Sequence, residues 1–248
     1  MDKERVKQLN IETFDKWAPD YDKAFLAKHP QKLNQIVAEM VSAFLGTTIA
    51  ERKPRESSFG AKAPQDDCFS LLDVGCGTGH FLNLLLNQPH GSRSACRLPD
   101  GSQGKAGLTA HGLRLAGIDI SPGMLKIARE RLGNDVDLQE GGVETLPWPD
   151  NTFEVITSTD AFHHFPDPNP ALAEIRRVMQ PNGMLIIADM WLPTPARQFF
   201  NLILPLTREG DVRIYSRRQM LSFMTMNGYR DISWKRFELL GQITTGLK

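Results

Sequence analysis

The chain is poor in cysteine, in net charge and in long apolar runs. Three cysteines, Cys68, Cys76 and Cys96, occur in 248 residues, far apart and without a C-x-x-C pair. That pattern excludes a disulfide framework and a structural zinc site, so no metal is expected and a reducing, cytoplasmic setting is the default. Lys plus Arg equal Asp plus Glu at 29 each. No global field therefore draws the chain to nucleic acid or to an anionic membrane. The first residues, "MDKERVKQLN", are charged with no apolar run behind them. Neither a signal peptide nor a spanning helix is expected, and hence no stable membrane insertion.

What is present is an ordinary globular composition, 41% hydrophobic and 23% charged, at a length that suits one large domain. Leu33, Ile36, Val37, Met40, Val41, Phe44 and Leu45 recur at helical spacing, so residues 1–46 read as a helical N-terminal lid that Gly46 can end. Residues 50–68 read as a polar connection. Residues 88–112, with five glycines and few large apolar side chains, read as a flexible insertion.

Five apolar stretches read as strands: "FSLLDVG", "LRLAGIDIS" (113–121), "VDLQEG", "FEVITS" (153–158) and "MLIIADM" (184–190). Helical patterns separate them. Ser121 caps one helix with Pro122 at its first position. "PALAEIRRVMQ" is another, ended by "PNG". Ser216 could cap a third through Met226, and the tail suits two further strands. Such alternation predicts an α/β fold of the Rossmann-like doubly wound kind. Its sheet is seven-stranded and mostly parallel, with helices on both faces, in a single domain over 1–248.

The chemistry is expected at "LLDVGCGTGHF" (71–81). Gly75, Gly77 and Gly79 lie between a strand and a helix, where glycine lets a ligand approach the backbone closely. A dinucleotide turn wants G-x-G-x-x-G, but position 80 is His80. Asp73 just ahead of the turn would repel a pyrophosphate and would suit an ammonium or sulfonium group. No G-K-[ST] follows, so a phosphate-cradling loop is excluded. Asp119 closes the second strand, where a carboxylate can accept both hydroxyls of a ribose. It stands forty residues after Gly79, an excess that the insertion accounts for. A nicotinamide-dependent oxidoreductase is thereby the weaker alternative.

These stretches, taken in order, resemble the class I S-adenosylmethionine-dependent methyltransferases. In particular they resemble the large group similar to ubiquinone and menaquinone biosynthesis methyltransferases, methyltransferase domain 11. The resemblance rests on "FDKWAPDYD" (14–22), the glycine turn, "GIDISPGMLKIAR", "GGVETLPWPDNTFEVITSTDAFHHF" and "EIRRVMQPNGMLIIAD". It implies methyl transfer from S-adenosyl-L-methionine by in-line displacement. The glycines would pass under the methionine part of the donor and Asp73 would hold its amino group. Asp119 would take the ribose, while Ile120 and Met124 would pack the adenine. Tyr21 resembles a lid tyrosine; a buried aromatic is the plainer reading. Ser158 and Thr159 would stand beside the sulfonium. The family's acid for the adenine amino group is replaced here by Gly142, leaving the N–H of Val143, with Glu144 as a compensating carboxylate. Asp160, His163 and His164 are candidate bases after the fourth strand, with Asp160 and His163 favoured; scaffold is the alternative for "FHHF". Residues 191–228 are expected to cap the acceptor side, and the apolar stretch 191–206 there suits a small hydrophobic or aromatic acceptor. Core packing or a dimer contact explains that stretch equally well, so monomer and homodimer both stand. A non-catalytic module that binds S-adenosylmethionine is the remaining alternative.

Overall fold

The computed structural model describes residues 2–25, 28–51, 69–87, 113–207 and 213–248. The expected insertion 88–112, the greater part of the connection at 50–68, Cys68 and Cys96 lie outside them. Three helices come first, α1 (Lys3–Trp17), α2 (Tyr21–Phe25) and α3 (Lys28–Glu51). α3 continues through Gly46, which was expected to end it. The strands and helices then alternate: β1 (Phe69–Val74), α4 (His80–Leu86), β2 (Leu113–Asp119), α5 (Pro122–Leu132), β3 (Asp137–Glu140), β4 (Phe153–Thr159), α6 (Pro168–Val178) and β5 (Met179–Met190). The chain closes with α7 (Ala196–Thr207), α8 (Arg217–Met226), β6 (Arg230–Phe237) and β7 (Gly241–Leu247).

One seven-stranded sheet results, in the order β3-β2-β1-β4-β5-β7-β6. β1 to β5 are mutually parallel, and β7 runs antiparallel to both β5 and β6. Alternation along each strand decides which face a side chain serves. Leu71, Leu115, Val155 and Ile186 pack with side chains of α3, α4 and α5. Leu72, Ala116, Ile156 and Leu185 pack with α6 and α8 on the other face. Strands covered on both sides need no polar alternation, which is why β1 and β4 read as nearly continuous apolar runs.

β5 begins five residues earlier than its apolar run. Pro181–Asn182–Gly183 was expected to be the stop after a helix, yet it lies inside the strand, where Asn182 takes φ 61° and the register against β4 shifts. Gly183 is required there: a Cβ would stand 2.9 Å from the carbonyl oxygens of Gln180 and Glu154.

The cap at α5 forms as its sequence predicts, with Ser121 Oγ accepting from the Met124 N–H at 3.0 Å. The same hydroxyl donates to Asp15 Oδ1 at 2.6 Å, and that oxygen also accepts from the Gly123 N–H at 2.8 Å. A carboxylate from α1 therefore sits at the N-terminus of α5, where the helix dipole favours it. The contact is close: a Cβ on Gly123 would approach Asp15 Cα to 3.1 Å. Asp15→Ala should cost about 1–2 kcal/mol in urea denaturation and should raise hydrogen exchange in α1 while leaving the sheet protected.

Candidate active site

The parallel strands β1, β2 and β4 end at one edge, and a cleft opens there. The chain turns at Gly75, Gly77 and Gly79 with φ of +75°, +52° and +73°. Side chains rarely adopt these angles, so the turn needs glycine on conformational grounds alone. Gly75 needs it twice, because a Cβ would meet Ala161 Cβ at 2.5 Å. Gly77 is different: nothing lies within 4 Å of where its Cβ would be. Its open face lines the cleft.

The turn is tied to β2. The N–H groups of Gly75 and Cys76 both donate to the Ile118 carbonyl, at 2.8 and 3.0 Å. Asp119 Oδ2 accepts from the Gly77 N–H at 2.8 Å, and Oδ1 accepts from the Ser121 N–H at 2.9 Å. Burial raises the pKa of Asp119 above the usual carboxylate range, while these backbone donors pull it back.

Asp119, Ile120, Met124, Gly142, Val143, Glu144, Thr159, Asp160 and Tyr21 all line the cleft with Gly75 and Gly77. Asp73, Gly79, Ser158 and His163 do not. Asp73 lies beneath the turn, 1% exposed, and accepts from Thr157 Oγ1 at 2.7 Å. Desolvation pushes its pKa up to about 7. Gly79 faces Leu132, so its lack of a side chain serves packing against α5. Asp160 ends β4 in a left-handed conformation, φ 49°. That strain turns it into the cleft.

Two histidines line the cleft, His80 at the start of α4 and His164 after β4. His163, favoured as a base from sequence, is clamped to β5: its Nδ1 is 2.6 Å from Asp189 Oδ1, and its N–H donates to Asp189 Oδ2 at 2.9 Å. His163 and His164 both follow a strand in a short helical turn, Phe162–His164, so neighbours in sequence point to different surroundings. His164 packs edge-on against Phe14, ring centres 4.9 Å apart. Among the described residues, none of 191–207 and 213–228 lines this cleft.

Lys7 and Asn10 from α1 and Asn34 from α3 line the cleft without belonging to any motif, beside Phe14 of the segment 14–22. A second strap was likewise unforeseen. Arg131 on α5 donates to the Thr78 carbonyl at 2.6 Å and pairs with Asp22, which accepts from Thr78 Oγ1 at 2.7 Å. It ties α2 to the glycine turn. The Gly142 position is also filled indirectly. A Cβ there would stand 2.7 Å from Glu144 Oε2, so the Glu144 carboxylate folds back over Gly142, 3.4 Å from Lys7 Nζ.

The electrostatic character is acidic. Tyr21 is raised well above its ordinary pKa, first by burial and then by Asp160, Asp119 and Asp22. A cleft with that field suits a cation and disfavours a pyrophosphate.

Comparison with known proteins agrees. A family model described as a methyltransferase domain matches residues 101–187. Over that span the chain is similar to a methyltransferase-domain family. The family's methyl donor is S-adenosylmethionine. Similar proteins include the demethylmenaquinone methyltransferase of Symbiobacterium thermophilum, 34% identical over 195 residues, covering 77% of this chain and 62% of that one. Another is the demethylmenaquinone methyltransferase of Chlorobaculum parvum, 27% identical, covering 73% and 59%. The chain thus spans about three fifths of the length of these curated relatives. In structure, an S-adenosylmethionine-dependent methyltransferase from Thermotoga maritima aligns with TM-score 0.60 over 96% of this chain and 99% of its own, at 16% identity. That likeness is one of fold.

The raised carboxyl of Asp73 makes stability depend on pH. Its folded pKa, about 7, exceeds the ordinary 3.8. A raised carboxylate is no burden below the unfolded value, where both states are protonated. Its cost grows as pH rises from about 4 to about 7 and is complete above that. Urea denaturation of Asp73→Asn should therefore show a smaller fall in stability between pH 5 and pH 8 than the unsubstituted chain. Parallel pH profiles would contradict the assignment.

Proposed function

We infer that this chain is an S-adenosylmethionine-dependent methyltransferase (EC 2.1.1) that acts on a small hydrophobic or aromatic molecule. The observation that carries the reading is the acidic cleft over a left-handed glycine turn, with Asp119 closing β2 beside the open face of Gly77. The fit is specific in kind. Gly77 leaves a cradle that any side chain would fill, and the carboxylates at 119 and 160 favour a cationic donor.

The bound donor supplies a methyl group on a positively charged sulfur, whose departure needs no acid. The chain's task is to bind, align and exclude water. Asp119 accepts from ribose hydroxyls, and Ile120 and Met124 pack the adenine. Val143 presents its N–H, and Glu144 supplies the carboxylate that position 142 lacks. Gly75, Gly77 and Thr159 lie along the methionine part. Asp73 and Ser158 support it from beneath, and Gly79 seats the turn on α5. Tyr21 closes the cleft from α2.

At the acceptor end stand Phe14, Asp160 and His164. Asp160 and His164 are the groups placed to take a proton from a phenol or hydroxyl; His163, held by Asp189, positions that turn. The names of the quinone methyltransferases among its relatives support an apolar aromatic acceptor. The aromatic edge of Phe14 supports it too.

Calorimetry with S-adenosylhomocysteine tests the donor site. Asp119→Ala removes two charge-assisted hydrogen bonds and should weaken binding roughly a hundredfold. Tight NADH binding without S-adenosylhomocysteine binding would sink the reading. Tritiated donor with hydroxynaphthoquinols, phenols and amines in parallel reports the acceptor; turnover of amines alone would overturn the aromatic assignment.

A further inference from the structure

α7 is built inside out. A surface helix of a soluble domain turns its apolar stripe inward. Here the polar Asn201 is the inward anchor: its Nδ2 donates to the Ile214 carbonyl at 3.0 Å and its Oδ1 accepts from the Ile214 N–H at 2.9 Å. Phe199 and Leu202, one turn apart, face water at 61% and 73% exposure, with Phe200 beside them. Met190 and the β6–β7 turn, Leu239 and Leu240, are exposed as well. They lie at the same end of the sheet, since the Trp191 N–H donates to the Leu240 carbonyl at 2.7 Å.

Charge accompanies this apolar surface. The whole chain is neutral, but the balance is uneven along it. Among the described residues at this end, Arg197, Arg213, Arg217, Arg218, Lys235 and Arg236 are basic and Glu238 is acidic, whereas Arg230 and Asp231 lie at the far end of β6. Glu238 is already paired with Lys32 at 2.8 Å. Three of the arginines meet at the root of α7. Arg236 lies 4.5 Å over the Trp191 ring, Arg217 lies 5.5 Å over Trp234, and the two rings are 6.3 Å apart. Arg197 donates to the Leu192 carbonyl at 3.1 Å.

We propose that α7 and the adjoining Trp191–Arg236 cluster form a peripheral docking surface for an anionic lipid bilayer. Exposed Phe and Leu enter the acyl boundary, indole rings sit at headgroup depth, and arginines meet lipid phosphates. A second copy is the poorer occupant. A two-fold contact would bring an arginine-rich patch against itself, with little acid to offset it. A bilayer supplies both the apolar layer and the opposite charge. No helix among the described residues is long and apolar enough to cross a membrane, so the contact is an interfacial one. It lies at the edge of the sheet where the cleft opens. The proposal stands independently of the methyl-transfer reading.

The experiment is co-sedimentation of the full chain with vesicles of phosphatidylcholine, alone or mixed with phosphatidylglycerol. Binding to the mixed vesicles should exceed binding to phosphatidylcholine roughly tenfold or more and should weaken with salt. Phe199→Ser with Leu202→Ser should reduce it by a similar factor. Arg217→Glu with Arg218→Glu should do the same, and acids suit the first turn of α8. Far-UV circular dichroism and S-adenosylhomocysteine affinity of both pairs should stay unchanged, which separates lost docking from lost folding. Equal or negligible partition on the two vesicles overturns the proposal, as does binding that neither pair reduces. Sedimentation equilibrium showing a stable dimer that Phe199→Ser with Leu202→Ser dissolves assigns the surface to a second copy and also overturns it.

Discussion

The carboxylate of Asp119 joins three strand ends at one point. Its side chain holds Gly77 in the turn after β1 and Ser121 at the cap of α5. Its carbonyl accepts from the Gly141 N–H after β3 at 3.0 Å. Remove that residue and the glycine turn, the capped helix and the loop bearing Val143 and Glu144 lose their common reference. A buried carboxylate satisfied by backbone N–H groups is stiff, because each donor is fixed by its own strand. The cleft is therefore organised before any ligand arrives, and organisation in advance lowers the entropic cost of binding.

α3 is part of the core, whereas α1 and α2 are tied to this frame by polar contacts that converge on α5. Asp15 engages its first turn, and Arg131 near its end grips Asp22. Between these two attachments lie Trp17 and Tyr21, and Phe14 reaches over to His164. A cover attached through a few hydrogen bonds and ion pairs opens more easily than one fused into the hydrophobic core. Such a hinge suits a site that must admit two reactants and then exclude water.

How much of this the sequence disclosed depends on distance along the chain. Asp119 and Ser121 were legible because the turn, the strand end and the cap are each local rules. Gly75 and Gly77 were legible for the same reason, their φ values being visible in residue type. His163 and His164 were not separable, since a short helical turn after β4 decides which of two neighbours meets β5. Asn34 and Lys7 reach the cleft through tertiary packing alone, and no local pattern marks them. β5 was read too short because Pro181 and Gly183 ordinarily end structure, whereas here the bulge against β4 absorbs them. All but the last residue of α7 lies within the stretch 191–206 that the sequence marks as apolar. Its orientation was hidden, because an apolar stripe is silent about whether it faces core or solvent.

The acidic field of the cleft bears on turnover as well as on recognition. Asp119 and Asp160 line it, so a positive ligand is attracted at close range. Two unit charges about 4 Å apart interact by roughly 1–4 kcal/mol between water-like and surface-like dielectric. Under the proposed reaction the donor loses its charge when the methyl group leaves. The attraction that gathered it then lapses in the same step, while the ribose and adenine contacts persist unchanged. The product is thereby held less tightly than the reactant by interactions that sense charge alone. A neutral dinucleotide-type turn, with donors only and no acid ahead of the glycines, could not make that distinction. Under the proposed reaction, the acidity of the folded cleft is thus matched to a charge that the transfer removes.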